Sequence, residues 1–336
     1  MKKILSLICV LILCIAVSLG VAGCNRGSGE KLSVYVPDGA PALSVAGINR
    51  TDAGKHFEVN VVKADTINSY VTGDNPQADV AVMPVNAAVK FLSDGQTYRM
   101  LGTVTHGNLF LLKKQTETDI ASPAELSSLV GKTVGVINLA NVPGLTFKTI
   151  LRDNGVEFNE LKDGAAVVTD KVNLKDVAAT AATPSNADCQ YFVVPEPAAT
   201  TKVNATQGKL SVAGNLQTLY GGENGYPQAV AVAKVSVIEK YSTEISAFIE
   251  SFAATKTWLM DENTTAQSIV DAVDGMTKGD LSHTFTADNL TKAVISNCGI
   301  RFESNAVGKA EVLAFMEKFN AVSNNAWGTP ADEFFY

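Results

Sequence analysis

The chain has 336 residues, which at about 150 residues per domain predicts roughly two domains. A hydrophobic fraction of 46% and a charged fraction of 18% suffice for full-sized cores and exclude a wholly disordered chain. The 27 basic and 34 acidic side chains give a formal net charge of −7, and aromatic residues make up only 7%. This balance argues against a surface that binds nucleic-acid phosphates or stacks bases.

The first residues have the pattern of a secretory signal. Lys2 and Lys3 form a basic head, residues 4–19 are almost wholly apolar, and Val21-Ala22-Gly23-Cys24 follows. This order is typical of a signal peptide, and its ending matches the bacterial lipobox, in which the cysteine thiol takes a diacylglyceryl group. We therefore expect a lipoprotein signal peptide over 1–23 and lipidation of Cys24. An uncleaved transmembrane anchor is the alternative, but the apolar run is short for a span and no second span follows.

The mature chain is expected to begin with a tether. Residues 24–31 are polar and Gly-rich, as flexible linkers are. Cleavage removes Lys2 and Lys3, so the mature charge is 25 − 34, or −9. The lipid would hold this acidic body at the cell membrane, on the extracytoplasmic face.

Short strands alternate with helices along the rest of the chain. Apolar runs and turn residues predict strands at 32–36, 57–63, 79–83, 98–104, 109–113, 133–137, 165–169, 189–194 and 228–233. Helices are predicted after 37–41, from 84 to 91, after the Ser122-Pro123 cap, at 142–152 and 172–181, after 195–197, and at 242–260, 266–273, 287–295 and 306–319. This alternation favours an α/β fold with mainly parallel sheets flanked by helices.

The alternation divides into two series, which end near Thr105 and near Gly225. We predict two lobes joined by two crossings: lobe I from residues 32–105 plus 226–336, and lobe II from residues 106–225. One large sheet that holds every strand is the alternative.

Two cysteines remain in the mature chain, and they fall on different predicted lobes. Cys189 belongs to lobe II and Cys298 to lobe I. A disulfide is open to an exported protein, but it would lock the two lobes together, so we expect two buried thiols. Because the chain has no C-x-x-C and no ligand-like cysteine spacing, we expect neither a metal nor a cofactor.

Five turns that follow predicted strands combine small residues, proline and polar groups. Ligands of open α/β sheets bind beyond the carboxyl ends of strands, small residues allow close approach to the backbone, and free N–H groups at helix starts favour anionic or polar groups. Ordinary turn chemistry explains any single turn, whereas convergence on one cleft would make a binding site. The turns are 37–41, 83–87, 106–108, 138–144 and 195–198.

Individual side chains in these turns have alternative roles. Asp38 and Asn86 suit either a polar ligand or a helix cap, His106 suits a ligand contact or a structural role, and Glu196 suits a cationic amine or the start of a helix. Tyr226 suits a stacked ligand ring or hinge packing. The predicted ligand-binding residues are Asp38, Gly39, Ala40, Pro84, Asn86, His106, Asn108, Asn138, Asn141, Val142, Glu196 and Tyr226.

Four segments carry a resemblance to a known family. They are Ala78-Asp79-Val80-Ala81-Val82-Met83-Pro84, Leu129-Val130-Gly131-Lys132-Thr133-Val134-Gly135-Val136, Val193-Val194-Pro195-Glu196-Pro197-Ala198 and Gly225-Tyr226-Pro227-Gln228-Ala229. With the lipobox, they resemble the substrate-binding lipoproteins of bacterial ABC importers, in the group that includes sulfonate-, nitrate- and thiamine-pyrimidine-binding proteins.

This resemblance implies a type II periplasmic-binding-protein fold, in which two hinged lobes close on a small molecule and the monomer docks on a permease served by an ATPase. The turns lack the dense arginine cluster that would clamp a sulfonate or phosphate, so a small polar organic ligand is expected.

Two other classes of function stay open. An enzyme on the same fold would use Cys189 as nucleophile with His106 or Glu196 as base, although no G-x-S-x-G, H-E-x-x-H or complete P-loop is present. Cys189 is predicted at the start of a buried strand, far from the strand's carboxyl end. A surface lipoprotein that senses a ligand or adheres to a receptor is the third class.

Overall fold

Two six-stranded sheets form the framework of the protein in a computed structural model, which describes residues 30–162, 164–221 and 225–336. The predicted signal peptide and Cys24 lie outside the described residues. Sheet I contains β1 Leu32–Pro37, β2 Phe57–Val62, β3 Val80–Pro84, β4 Tyr98–His106, β11 Pro227–Lys234 and β12 Ile300–Ser304. Sheet II contains β5 Leu109–Lys114, β6 Thr133–Ile137, β7 Phe158–Leu161, β8 Val172–Val177, β9 Tyr191–Pro195 and β10 Leu210–Asn215.

The strand order is β12-β4-β11-β3-β1-β2 in sheet I and β10-β5-β9-β6-β8-β7 in sheet II. Strands run parallel within β3-β1-β2 and within β9-β6-β8-β7. The pairs made by β11, β12, β5 and β10 are antiparallel. Gly107 and Asn108 alone join β4 to β5, and the chain returns to sheet I between β10 and β11. A single large sheet is therefore wrong.

Helices cover both sheets, which confirms the predicted two-lobed α/β fold. They are α1 Ala40–Val45, α2 Ala53–His56, α3 Val85–Leu92, α4 Val142–Asp153, α5 Ala198–Ala205, α6 Leu216–Tyr220, α7 Val235–Lys240, α8 Ser242–Met260, α9 Ala266–Asp274, α10 Lys292–Asn297 and α11 Asn305–Val322. Short 3-10 helices lie at Ile48–Arg50, Ala64–Tyr70, Pro123–Leu129, Ala179–Ala181 and Asp332–Phe334. Every described helix is too short or too polar to cross a lipid bilayer.

Strand β3 shows why the apolar runs form central strands. Val80 and Val82 pack on one face of sheet I, and Ala81 and Met83 pack on the other, so every one of these side chains is buried. A strand covered on both faces needs apolar residues at consecutive positions. The run Val80-Ala81-Val82-Met83 meets that need.

One hydrophobic cluster continues from sheet I into sheet II. It joins Met83 and Val230 of sheet I to Val193 of sheet II through Leu145 of α4 and Phe315 of α11. Helix α11, which follows the last strand of sheet I, thus packs against α4, which follows a strand of sheet II. The two halves of the molecule share part of their core.

The secondary-structure prediction was wrong between residues 165 and 181. Residues 172–177 form β8, whose alternate residues Val172 and Leu174 are buried, and 165–169 contain no strand. The side chain of Asn173 bonds to both backbone groups of Val168 and holds this exposed segment beside β8. Strands β7, β10 and β12 were not predicted. All three are edge strands, where one side has no strand neighbour and the apolar pattern is weaker.

Candidate functional site

Turns that follow strands of sheet I lie opposite turns that follow strands of sheet II, and we call the region between them the cleft. We define it by the turns after β1, β3, β6 and β9, which are residues 37–41, 83–87, 138–144 and 195–198. Two hydrogen bonds cross it between described residues from opposite halves, one at the start of α3 and one near the start of α5. The topology therefore brings four of the five predicted turns to one region.

Asn86 and Asn141 form the first contact across the cleft. Asn86 lies in the first turn of α3 and is 0% exposed, whereas Asn141 is exposed and precedes α4. Asn86 Nδ2 donates to Asn141 Oδ1 at 3.3 Å, and Asn86 Oδ1 is buried with no hydrogen-bond partner among the described residues. A buried amide oxygen without a donor costs free energy, so this atom is suited to a donor on a ligand.

Asp38 lies at the end of sheet I with a histidine that the sequence analysis missed. Its Oδ1 is 2.6 Å from His283 Nδ1, and its Oδ2 accepts from Thr284 N at 2.9 Å. The His283 ring stacks on Phe285. Because His283 stands 245 positions from Asp38 in a loop without a motif, no sequence signal connects the two.

The second contact across the cleft involves that same loop. The hydroxyl of Thr201 in α5 lies 3.0 Å from the backbone carbonyl of Thr284 and 3.1 Å from that of Pro197, so it can donate to either. Neither threonine was among the predicted site residues. Both crossing contacts are thus single hydrogen bonds between polar groups.

Asn108 and Glu196 lie together, but both belong to sheet II and its connections. Asn108 Nδ2 donates to the Glu196 carbonyl at 3.1 Å, and Glu196 N donates to the Asn108 carbonyl at 2.7 Å. The Glu196 carboxylate accepts from the backbone N and hydroxyl of Thr200 at 3.0 and 2.7 Å. The Glu196 carboxylate is therefore engaged at the helix start, and its contact with a ligand stays a prediction.

Tyr226 packs between the two halves. It is 0% exposed, its hydroxyl donates to Gln217 Oε1 at 3.0 Å, and its ring stacks on Phe315 with centroids 5.5 Å apart. Burial raises the pKa of this phenol well above its ordinary value. Because no face of the ring is open in this structure, Tyr226 is in the packing role here, and its contact with a ligand stays a prediction.

His106 lies on the β12 side of the crossing. Its Nε2 is 2.9 Å from Thr103 Oγ1 and 3.1 Å from Glu303 Oε2. Burial, together with the positive charge of Arg301, lowers the pKa of His106 from 6.5 to about 4, while Glu303 opposes the shift. The imidazole is therefore neutral at pH 7 and has a structural environment.

His106 also belongs to the cluster of described residues that comes nearest to a metal site. Donor atoms of His106, Glu303 and Glu311 lie within 4.8 Å of one another. However, Arg301 Nε lies 2.8 Å from Glu303 Oε1, and a guanidinium beside the carboxylate opposes a metal cation. The arrangement is that of a partly buried Arg301–Glu303 ion pair beside the imidazole.

The remaining predicted residues are backbone elements of the cleft. Asn138 is exposed, has φ 62° and starts a turn. Its backbone carbonyl accepts a hydrogen bond from Asn141 N at 3.0 Å. Gly39 with φ 94° precedes α1, Ala40 begins α1, Pro84 ends β3 and Val142 begins α4. These residues shape the turns, and their contact with a ligand stays a prediction.

The thiols of Cys189 and Cys298 are free and buried. Burial raises the pKa of the Cys189 thiol, and it raises that of Cys298 well above its ordinary value. A raised pKa disfavours the thiolate that nucleophilic catalysis needs. Cys189 therefore lacks the environment of an activated nucleophile.

Several solved structures resemble this chain over almost its whole length. An ABC transporter from Parabacteroides distasonis superposes with a TM-score of 0.68 and 16% identity, over 91% of this chain and 98% of that one. The aliphatic sulphonate-binding protein SsuA from Escherichia coli gives 0.63 and 12%, over 91% and 92%. A Candida albicans protein with the generic periplasmic-binding-protein fold gives 0.54 and 10%, over 91% and 93%.

This chain has the periplasmic-binding-protein fold. The predicted fold resemblance is confirmed, and at these identities the similarity concerns the fold. No protein-family model matches the sequence, and no curated protein is significantly similar to it.

Proposed function

We propose that this protein is the extracytoplasmic substrate-binding component of an ABC importer, which captures a small polar organic molecule in the cleft and delivers it to a membrane permease. The observation that carries the proposal is the Asn86–Asn141 contact between the two halves of the fold. Solved structures that resemble the chain support the same role, since several are ligand-binding components of transport systems.

The polar character of the cleft suits capture and release. A neutral hydrogen bond contributes only about 1 kcal/mol net, because water replaces it when it breaks. Asn86–Asn141 and Thr201–Thr284 can therefore exchange for bonds to water or to a ligand at small cost. A ligand that bonds both halves at once would favour the closed arrangement by its differential affinity.

The ligand class follows from the groups in the cleft. Asn86 and Asn141 offer amide donors and acceptors, and the Asp38 carboxylate is already engaged by His283 and Thr284. Such groups suit hydroxyl, carbonyl or amide functions more than a dense negative charge. We propose that lipidation at Cys24 holds the protein beside its permease.

Native mass spectrometry of the full-length chain, purified from membranes without refolding, tests this function. We expect a retained small molecule in the wild type, and loss of most of it in Asn141→Ala, because that variant removes one side of the crossing contact. Asn263→Ala is the matched control, since it removes an exposed amide side chain outside the cleft and leaves the crossing bond.

Equal retention in both variants would remove the cleft from the proposal. If no molecule is retained, a thermal-shift screen of amino acids, amines, pyrimidines and sulfonates follows. The absence of any stabilising compound would favour a ligand-independent surface lipoprotein.

A further inference from the structure

A separate cavity of about 290 Å³ lies beside the crossing from β4 to β5. Its walls come from both halves: the end of α8, the end of α10 and the start of β12 on one side, and residues around α6 on the other. The lining residues are His106, Gly107, Asn215, Gln217, Gly225, Lys256, Leu259, Met260, Ile295, Ser296, Asn297, Gly299, Ile300 and Arg301. None of them belongs to the four turns that define the cleft.

One wall of the cavity is apolar. It is formed by Met260 together with Leu259, Ile295 and Ile300, which are only 1%, 3% and 6% exposed and so offer little surface. Met260 is 40% exposed, which makes it one of the large hydrophobic side chains that the described surface leaves open to solvent. Displacing poorly ordered water from such a wall by an apolar group favours binding.

The charged side chains of the cavity are all cationic. Lys256 and Arg301 line it, and no lining residue is Asp or Glu. Lys256 makes no ion pair with any other described residue, whereas Arg301 is paired with Glu303 at 2.8 Å. The neighbouring histidine is uncharged at pH 7, as shown above. Lys256 is therefore the main source of positive charge, and Arg301 is the secondary one.

We propose that this cavity is a second ligand site, which binds a small organic anion with a short apolar tail. The anionic group bonds to Lys256 and Arg301, and the tail lies on Met260. Since a water molecule occupies about 30 Å³ of liquid, the volume accommodates roughly ten non-hydrogen atoms. A carboxylate of the size of hexanoate fits this space, and binding here does not depend on the function proposed for the cleft.

Calorimetric titration with hexanoate tests the proposal on the full-length chain in lipid nanodiscs, with empty nanodiscs as the blank. Hexylammonium is the matched probe, because it has the same tail and the opposite charge. We expect hexanoate to bind and hexylammonium not to bind. We also expect Lys256→Gln to weaken hexanoate by roughly tenfold, as charge-assisted hydrogen bonds do when lost. Lys240→Gln, outside the cavity, is expected to leave the affinity unchanged.

Hydrogen–deuterium exchange with hexanoate then locates the site. Protection confined to residues 256–260 and 295–301 supports the proposal. Protection at residues 83–87 and 138–144 instead would place the probe in the cleft and overturn it. Equal affinity for the two probes, or an unchanged affinity in Lys256→Gln, would overturn it as well.

Discussion

The two halves of this molecule touch in two chemically different ways. Behind the crossing strands, Tyr226 and Tyr220 pack against Phe315 of α11, with ring centroids 5.5 and 5.9 Å from it. Across the cleft, the contacts are single hydrogen bonds, Asn86–Asn141 and Thr201–Thr284. The aromatic contact excludes water, whereas the cleft contacts join groups that water can also satisfy.

This difference indicates that the aromatic contact at Phe315 is more stable than the hydrogen bonds across the cleft. Burial of one large apolar side chain contributes about 1.5–3 kcal/mol, and aromatic pairs add about 0.5–1.5 kcal/mol, against about 1 kcal/mol for a neutral hydrogen bond. An ion pair between Lys318 and Asp153 at 2.9 Å reinforces the aromatic side. We therefore expect the cleft to open while the α11 contact stays closed.

The aromatic contact gives the largest expected effect. Phe315→Ala removes a fully buried ring from the core shared by both halves, so we expect the free energy of unfolding to fall by about 3–5 kcal/mol. Urea denaturation measures it, and Phe91→Ala at an exposed position is the control. A loss below about 1 kcal/mol would show that the halves do not depend on this contact.

The pH dependence of stability tests the environment of His106, which lies where the chain crosses from β4 to β5. Because the pKa of His106 is lowered to about 4, the unfolded chain binds more protons than the folded one between pH 6.5 and 4. The free energy of unfolding is therefore expected to decrease as the pH is lowered from 6.5 to 4, by on the order of 3 kcal/mol from this residue alone. Urea denaturation at several pH values should show a shallower fall in His106→Gln. His56→Gln, at an exposed histidine, should keep the wild-type slope, and identical slopes in both variants would contradict the environment described for His106.

The cleft is probed by a nearly isosteric change. Asn141→Asp keeps the oxygen that accepts from Asn86 but replaces the amide donor with a negative charge. We expect unchanged stability and roughly tenfold weaker retention of a ligand with a carbonyl or anionic group, about 1.4 kcal/mol. Native mass spectrometry and urea denaturation separate the two effects. Unchanged retention would show that the ligand does not use the Asn141 amide.

The smallest effect is expected for Thr201→Val. It removes the hydroxyl that bonds to Thr284 across the cleft, at a cost in stability of about 1 kcal/mol or less. We expect a larger radius of gyration by small-angle scattering without ligand, since one of the two bonds that close the cleft is lost. Thr257→Val is the matched control, because its hydroxyl bonds only within α8 at 3.0 Å. An identical radius in both variants would mean that this bond does not hold the cleft closed.

The sequence predicted elements that carry strong local signals. The apolar run 133–137 and the helix 242–260 have the predicted bounds, because a central strand and a long amphipathic helix each need a regular apolar pattern. The segment from Val172 was misassigned, since the six strand residues run directly into the alanine-rich stretch 178–182, and alanine favours a helix.

The candidate site was predictable only in part. Turns after strands marked Asn86 and Asn141, and the fold brings these two together. No local pattern marks His283 or Thr201, because their contacts depend on loops that meet only in the folded chain. Glu196 and Tyr226 had two chemically reasonable roles each, and their contacts with Thr200 and Phe315 depend on the folded chain rather than on a local pattern.

Gly107 lies in the two-residue connection between β4 and β5, so it is a hinge residue as well as part of the cavity wall. Its φ of 62° lies in the left-handed region, and a Cβ there would lie 2.5 Å from Gln217 Cγ. Any rotation of one half against the other at this connection is absorbed by Gly107 and Asn108, so it also changes the space beside Gln217. A molecule bound in that space would therefore limit how far one half can rotate against the other. Binding in the cavity would then change how readily a ligand enters and leaves the cleft.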